Sequence, residues 1–216
     1  MILLYSGTPG SGKSYHATRD IIDHMKYKKM PVIANFELGG LDAEWDFNYR
    51  PNSELNTDFL VAFANDCWSR RRFAEEGILL VIDECQLLFN SRTWNDADRL
   101  KWLEFFSQHR KYGYKIIFVA QDDCMVDKQF RALMEYEVNH RKVSNYGLFG
   151  WLLDALTFGK HVLAVRYYFG KRERLDSQYI RLSKKYYQYY NSYKSFEGAG
   201  TGALAPGRES RMVEAL

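Results

Sequence analysis

An apolar run, Ile2 to Tyr5, leads straight into Gly7-Thr8-Pro9-Gly10-Ser11-Gly12-Lys13-Ser14, an unbroken G-x-x-x-x-G-K-[ST]. This context predicts a short buried strand ending at Ser6, a tight glycine loop, and a helix beginning near Lys13. In that geometry the loop N–H groups and the helix N-terminus face an anion. Gly7, Thr8, Pro9, Gly10, Ser11, Gly12, Lys13, Ser14 and the following Tyr15 become candidate binding residues for a nucleoside triphosphate, taken as ATP. Lys13 would reach the β- and γ-phosphates, and the Ser14 hydroxyl would hold Mg²⁺. The competing reading is a degenerate loop with a structural role.

A chain of 216 residues, 46% apolar and 26% charged, has the size and composition of one α/β domain with an ample core. The Gly-rich run that begins at Gly198 marks residues 197–216 as a flexible tail, leaving 1–196 as the domain. The net charge of +3 is too small to imply a nucleic-acid partner. Its distribution says more: seven bases, Lys171, Arg172, Arg174, Arg181, Lys184, Lys185 and Lys194, face only Glu173 and Asp176 in one stretch. Cys67, Cys85 and Cys124 are far apart, which argues against a zinc site or disulfide framework and fits three small buried side chains in a reducing compartment. The N-terminus reads as strand and P-loop, so it is not a signal peptide. No apolar run reaches the length of a membrane span. The longest patch, Gly147 to Phe158, contains Asp154 and is read as buried or interfacial.

Strand and helix signals then alternate. A helix is expected from Ser14 to about Lys29, and a strand over Pro31–Phe36. A loop with a short strand at Trp45–Phe47 follows, then a helix capped near Asn56 and running to about Glu76. Gly77–Glu84 reads as a strand, Asn95 or Asp96 to Tyr112 as a helix, and Lys115–Gln121 as a strand. Asp127–Met134 looks helical, Glu137–Ser144 and Val162–Phe169 extended. Such alternation gives a mainly parallel central sheet with helices on both faces, a three-layer P-loop NTPase sandwich.

Ile78-Leu79-Leu80-Val81-Ile82-Asp83-Glu84 has the form of a Walker B strand. Asp83 at its end is a Mg²⁺ ligand candidate, and Glu84 can orient or deprotonate an attacking water. Gln121 ends the next apolar strand, where a side chain can sense the γ-phosphate. Hydrolysis also calls for a cation, often supplied by a neighbouring subunit. Arg92, Arg110 and Arg131 are candidates. Arg110, in Ser107-Gln108-His109-Arg110-Lys111-Tyr112-Gly113, is the first choice against a plain helix-end arginine.

Three blocks carry a resemblance to a known family. Gly7 to Tyr15, then Val81-Ile82-Asp83-Glu84-Cys85-Gln86, then Gln108 to Gln121 together resemble the zonula occludens toxin (Zot) family, which includes the gene I assembly proteins of filamentous phages. The match runs from residue 1 to about 140, with a weaker echo at Leu182–Tyr193. The resemblance implies a RecA/FtsK-like fold and an ATPase of the FtsK–HerA group. It further implies a homo-oligomer, often a ring, working in phage assembly or export with membrane export proteins. That places it in the host cytoplasm, at or near the cytoplasmic face of the inner membrane. Lys13 and Ser14 would bind nucleotide and Mg²⁺, Asp83 and Glu84 form Walker B, and Gln121 be the sensor. Lys111 departs from the second histidine that many members have. Typical members also continue into a membrane span and a periplasmic domain, which this chain does not show.

Two other readings stay open. One is a small-molecule kinase, which also starts from a P-loop. The other is a nucleotide-dependent adaptor that binds single-stranded DNA through Lys184, Lys185 and the tyrosines near them, with little hydrolysis. The plainer account of those tyrosines is a C-terminal amphipathic helix packed on the core.

Overall fold

The computed structural model describes residues 1–89, 96–142 and 161–190. Within these residues eight strands form one sheet: β1 (Ile2–Ser6), β2 (Val32–Ala34), β3 (Phe47–Tyr49), β4 (Ile78–Ile82), β5 (Tyr114–Val119), β6 (Tyr136–Lys142), β7 (His161–Tyr168) and β8 (Glu173–Arg181). Their order is β3-β2-β4-β5-β1-β6-β7-β8. Every pairing from β3 to β6 is parallel; β7 and β8 are antiparallel additions. β4 is apolar throughout, and β1 and β5 nearly so, because both faces are covered. Alternate side chains serve opposite cores: Ile2, Leu4, Leu80, Ile116 and Phe118 go to one, and Leu3, Tyr5, Val81, Ile117 and Val119 to the other.

The first core lies under α2 (Thr57–Arg70), α3 (Asp96–Gln108) and the short α4 (Lys128–Arg131). Phe89 centres it, stacked on Phe130 and edge-on to Trp102, Phe106 and Phe118. The second core lies under α1 (Lys13–Asp23), whose Tyr15, Ala17, Ile21 and Ile22 are buried against the sheet. A π-helical turn, His24–Lys28, extends α1, so the helical stretch ends within a residue of the expected Lys29. The fold is the expected three-layer α/β sandwich.

Several boundaries differ from expectation. The short third strand is Phe47–Tyr49, not Trp45–Phe47. Asn56 does cap α2, accepting from the Phe59 N–H at 2.9 Å. The helix nevertheless stops at Arg70, because Arg71 turns extended (φ −136°) and reaches Asp46 and the Lys29 carbonyl. The basic stretch from Lys171 includes β8, an antiparallel edge strand absent from the sequence reading, and among its described residues only Lys184–Tyr187 (α5) is helical. Cys67 and Cys85 are buried as expected, whereas Cys124 is exposed on the turn after β5. The Gly147–Phe158 patch, the Asn95 cap, Arg92 and the tail from residue 197 lie outside the described residues. Among the described residues no helix is long and apolar enough to cross a membrane.

Candidate functional site

The C-terminal ends of β1, β4 and β5 meet at one edge of the sheet, and the P-loop stands there. Gly7 is at φ +137° and Gly12 at φ +91°, backbone regions that glycine enters without strain. Space demands glycine as well. A Cβ on Gly7 would sit 2.4 Å from the His140 carbonyl oxygen, and one on Gly12 would sit 2.8 Å from Val162 Cγ2. The β6–β7 pair therefore walls the loop closely. Gly12 directly precedes α1, and the His16 N–H donates to its carbonyl at 3.0 Å. Neither an acidic side chain nor a side-chain cap occupies the first turn of α1, which keeps the helix N-terminus free to face an anion.

Lys13 is buried, and its ammonium donates to the Gly7 carbonyl at 2.7 Å and the Thr8 carbonyl at 3.1 Å. Burial lowers its pKa, while the nearby Glu84 and Asp83 charges pull it back up. Ser14 Oγ donates to Asp83 Oδ2 at 3.3 Å, so the two Mg²⁺ ligand candidates are neighbours although 69 residues apart. Burial pushes the Asp83 carboxyl up to about 6, against the lowering effect of the Glu84 N–H. That N–H donates to Asp83 Oδ1 at 2.9 Å. Glu84 itself is exposed, held in a left-handed conformation (φ +47°), with a carboxylate oxygen accepting from the Gln86 side-chain amide.

Gln121 lies just beyond β5 and its carbonyl accepts from the Gly7 N–H at 3.3 Å. Its side chain is exposed and lines a 340 Å³ groove with Ser6, Glu137, Asn139 and Arg141. Thr8, Pro9 and Gly10 are exposed at the tip of the loop, while Ser11 is fully buried with no hydrogen-bond partner for its Oγ. Tyr15 faces the other way. Its hydroxyl donates to the Arg181 carbonyl at 3.2 Å and accepts from the Ser183 N–H at 2.7 Å, so only its backbone is available to a phosphate.

Arg110 is not near this cluster. It precedes β5, at the opposite end of the sheet, and pairs with Glu135 at 2.9 Å beside the Met1 amino group and His109. Arg131 pairs with Asp123 at 3.7 Å. Within the chain, therefore, neither arginine is grouped with Lys13 and Asp83.

Sequence reasoning missed Asn35. At the end of β2, its Oδ1 accepts from the Asp83 N–H at 2.7 Å and its Nδ2 donates to the Asp83 carbonyl at 2.8 Å. Its position as a polar residue closing an apolar strand was the available signal. His140 was missed too; it is buried against His16, at 2.9 Å, and the Ser6 carbonyl, and burial drives its pKa down to about 3.

The family model for zonular occludens toxin (Zot) matches residues 1–196. The chain belongs to the Zot family. It is 35% identical over 127 residues to the gene 1 protein of Enterobacteria phage M13, a match covering 55% of this chain and 36% of that one. It is 41% identical over 85 residues to the gene 1 protein of Salmonella phage IKe, covering 38% and 23%. The chain thus spans little more than a third of the length of the curated relatives it matches. Among solved structures it is similar to the N-terminal domain of zonular occludens toxin from Neisseria meningitidis, with a TM-score of 0.51 and 18% identity over 88% of this chain and 98% of that one. It is also similar to B204, the DNA-packaging ATPase of Sulfolobus turreted icosahedral virus, with a TM-score of 0.53 and 15% identity over 84% and 97%. The ATPase domain of G40P gives a TM-score of 0.57 at 10% identity, over 88% and 84%. At these identities the structural likenesses establish a shared P-loop ATPase fold.

Proposed function

We propose that this Zot-family chain binds and hydrolyses ATP and is a motor domain of phage assembly or export, working as a homo-oligomer. The observation that carries the reading is the meeting of Ser14 with Asp83 beside Lys13. A phosphate-loop lysine, a hydroxyl and a carboxylate on adjacent strand ends are the donor set of a Mg²⁺–triphosphate site. Two hard oxygens 3.3 Å apart suit Mg²⁺, and the glycine loop leaves room where a Cβ would clash. When bound, Mg²⁺ would neutralise charge on the β- and γ-phosphates.

Lys13 exchanges its two loop carbonyls for phosphate oxygens. Glu84, on the residue after Asp83, orients the attacking water and accepts its proton. Gln121, one hydrogen bond from Gly7, reports the state of the γ-phosphate to β5. Arg110 serves across a subunit boundary, since its own P-loop is at the far end of the sheet. Residues 1–196 form the ATPase domain, acting at the cytoplasmic side of the inner membrane with export proteins. The gene 1 relatives support the assembly setting. The tyrosines beside Lys184 and Lys185 give little support to a single-stranded DNA platform. Tyr186 packs edge-on to Tyr15 and donates to Asp23 at 2.9 Å, and Tyr189 and Tyr190 pack on Trp45 and Phe36.

The test is ATP turnover by wild type and Glu84→Gln, with sizing in nucleotide. Glu84→Gln is expected to retain ATP and hold the assembled form while turnover falls. Absence of hydrolysis in every oligomeric state, with and without DNA and phage partners, sinks the motor reading.

A further inference from the structure

A transferring phosphoryl group needs positive charge beyond the P-loop lysine, and the sequence suggests that a neighbour's arginine supplies it. The structure offers a cation from the same chain. Lys142 is the last residue of β6, and strand alternation puts its side chain on the same face as Val138 and His140, the face toward α1 and the P-loop. Arg141 points to the other face, where it lines the groove with Gln121. The three P-loop glycines each abut one residue of the β6–β7 wall: Gly7 the His140 carbonyl, Gly12 the Val162 side chain, and Gly10 the Lys142 ammonium. A Cβ built on Gly10 would lie 3.4 Å from Lys142 Nζ and 3.7 Å from its Cε.

Lys142 is exposed, and two features suit it to meet an anion at the loop. First, among the described residues its ammonium makes no hydrogen bond and no ion pair, whereas Arg99, Arg110, Arg131, Arg166 and Arg172 are all paired with acids. The acids nearest the loop, Asp83 and Glu84, are the charges that act on Lys13. Second, its backbone is fixed. The neighbouring His140 carbonyl is pressed on Gly7, and β6 is paired with β1 as far as Asn139 and with β7 through Lys142 itself. A free ammonium on a rigid strand, set beside the exposed tip of an anion-binding loop, is preorganised for an anion.

We propose that Lys142 is a second phosphate-binding cation, reaching over Gly10 to the terminal phosphates of a nucleoside triphosphate bound in the P-loop. It rests on the ATP-binding reading above and adds a residue to it. The ammonium acts as a point charge and transfers no proton, so it stabilises charge that is greatest on the γ-phosphoryl group. Its contribution therefore grades with phosphate number: large for ATP, smaller for ADP, negligible for AMP.

The test uses the full chain and measures binding of ATP, ADP and AMP to wild type, Lys142→Ala and Lys142→Arg by calorimetry, at two salt concentrations. A charge-assisted contact of this kind is worth about 10- to 100-fold in affinity. Lys142→Ala is expected to lose that factor for ATP, less for ADP and none for AMP, with an unchanged thermal midpoint. Lys142→Arg should restore most of the loss, and the wild-type advantage for ATP should shrink at high salt. ATP affinity in Lys142→Ala equal to wild type overturns the proposal. So does an equal loss for all three nucleotides with a lowered thermal midpoint, which would mark a structural role. A wild type that binds no triphosphate fails the ATPase reading itself, and this proposal with it.

Discussion

Asn35 grips the backbone of Asp83 from both sides, accepting from its N–H at 2.7 Å and donating to its carbonyl at 2.8 Å. The same amide nitrogen also reaches Asn52 Oδ1 at 2.8 Å. One amide thus ties the end of β2 and the loop after β3 to the residue placed to hold Mg²⁺. Asn35→Ala leaves two part-buried backbone groups without partners, which costs about 2–5 kcal/mol of stability. Beyond that loss, Mg²⁺-dependent nucleotide affinity should fall more than affinity measured in excess chelator. Urea unfolding and paired binding titrations check both parts; an equal fall with and without Mg²⁺ would show that Asn35 supports the fold without positioning Asp83.

Gly7→Ala should be far more damaging than Gly40→Ala. Both positions have positive φ, +137° and +66°, but a Cβ at Gly7 meets the His140 carbonyl at 2.4 Å whereas one at Gly40 meets nothing within 4 Å. We expect about 1 kcal/mol for Gly40→Ala from backbone strain alone and at least about 3 kcal/mol for Gly7→Ala. Chemical denaturation of the two variants decides it.

Stability should fall as pH drops below neutrality. Burial holds His24 at about 4 and His140 at about 3, both below the unfolded value near 6.5. An imidazole with a lowered folded pKa is stable while neutral, and the unfolded chain gains protons first as pH falls through 6.5. Each therefore removes about 2 kcal/mol between pH 7 and pH 5. Asp83 acts in the opposite sense, because a carboxyl raised to about 6 is relieved by protonation, and it returns about 1 kcal/mol over the same interval. The balance is a net loss at pH 5, readable by urea unfolding at the two pH values. His24→Gln should flatten the dependence by roughly two-thirds.

Tyr15→Phe should leave nucleotide affinity unchanged while loosening the segment from Arg181 to Tyr190. The lost hydroxyl holds the Arg181 carbonyl and the Ser183 N–H, interactions together worth about 1–3 kcal/mol. Amide hydrogen exchange at Ser183 and in α5 should quicken; weakened ATP binding would instead place the Tyr15 side chain in the nucleotide site.

The central sheet was legible because β1, β4 and β5 are solid apolar runs, each ending in a polar or turn residue that carries chemistry. Lys13, Ser14, Asp83 and Gln121 could be placed from those endings alone. What stayed hidden were contacts made across long sequence separations by residues of ordinary type. Asn35 shows locally only as a polar residue closing an apolar strand, and its grip on Asp83 emerges when β2 is laid beside β4; nothing local distinguishes Lys142 from a solvated lysine until β6 is laid beside β1. The edge strand β8 was invisible for a different reason. Eight of its nine residues, all but Ile180, are exposed, so its pattern of charge and polarity carries no hydrophobic period. Arg110 shows what a motif leaves open: the topology puts it at the far end of its own sheet, which leaves it the role across a subunit boundary that the sequence suggested.

The Tyr15 hydroxyl bonded to the 181–183 backbone has a mechanical meaning. Tyr15 is the chain neighbour of Ser14, and its hydroxyl is fastened to the segment that leads out of β8 into α5. A displacement of that outgoing segment would pull, through one aromatic ring, on the residue beside the candidate Mg²⁺ ligand Ser14. β8 and the first helix are thus joined by a single side chain at the edge of the phosphate loop.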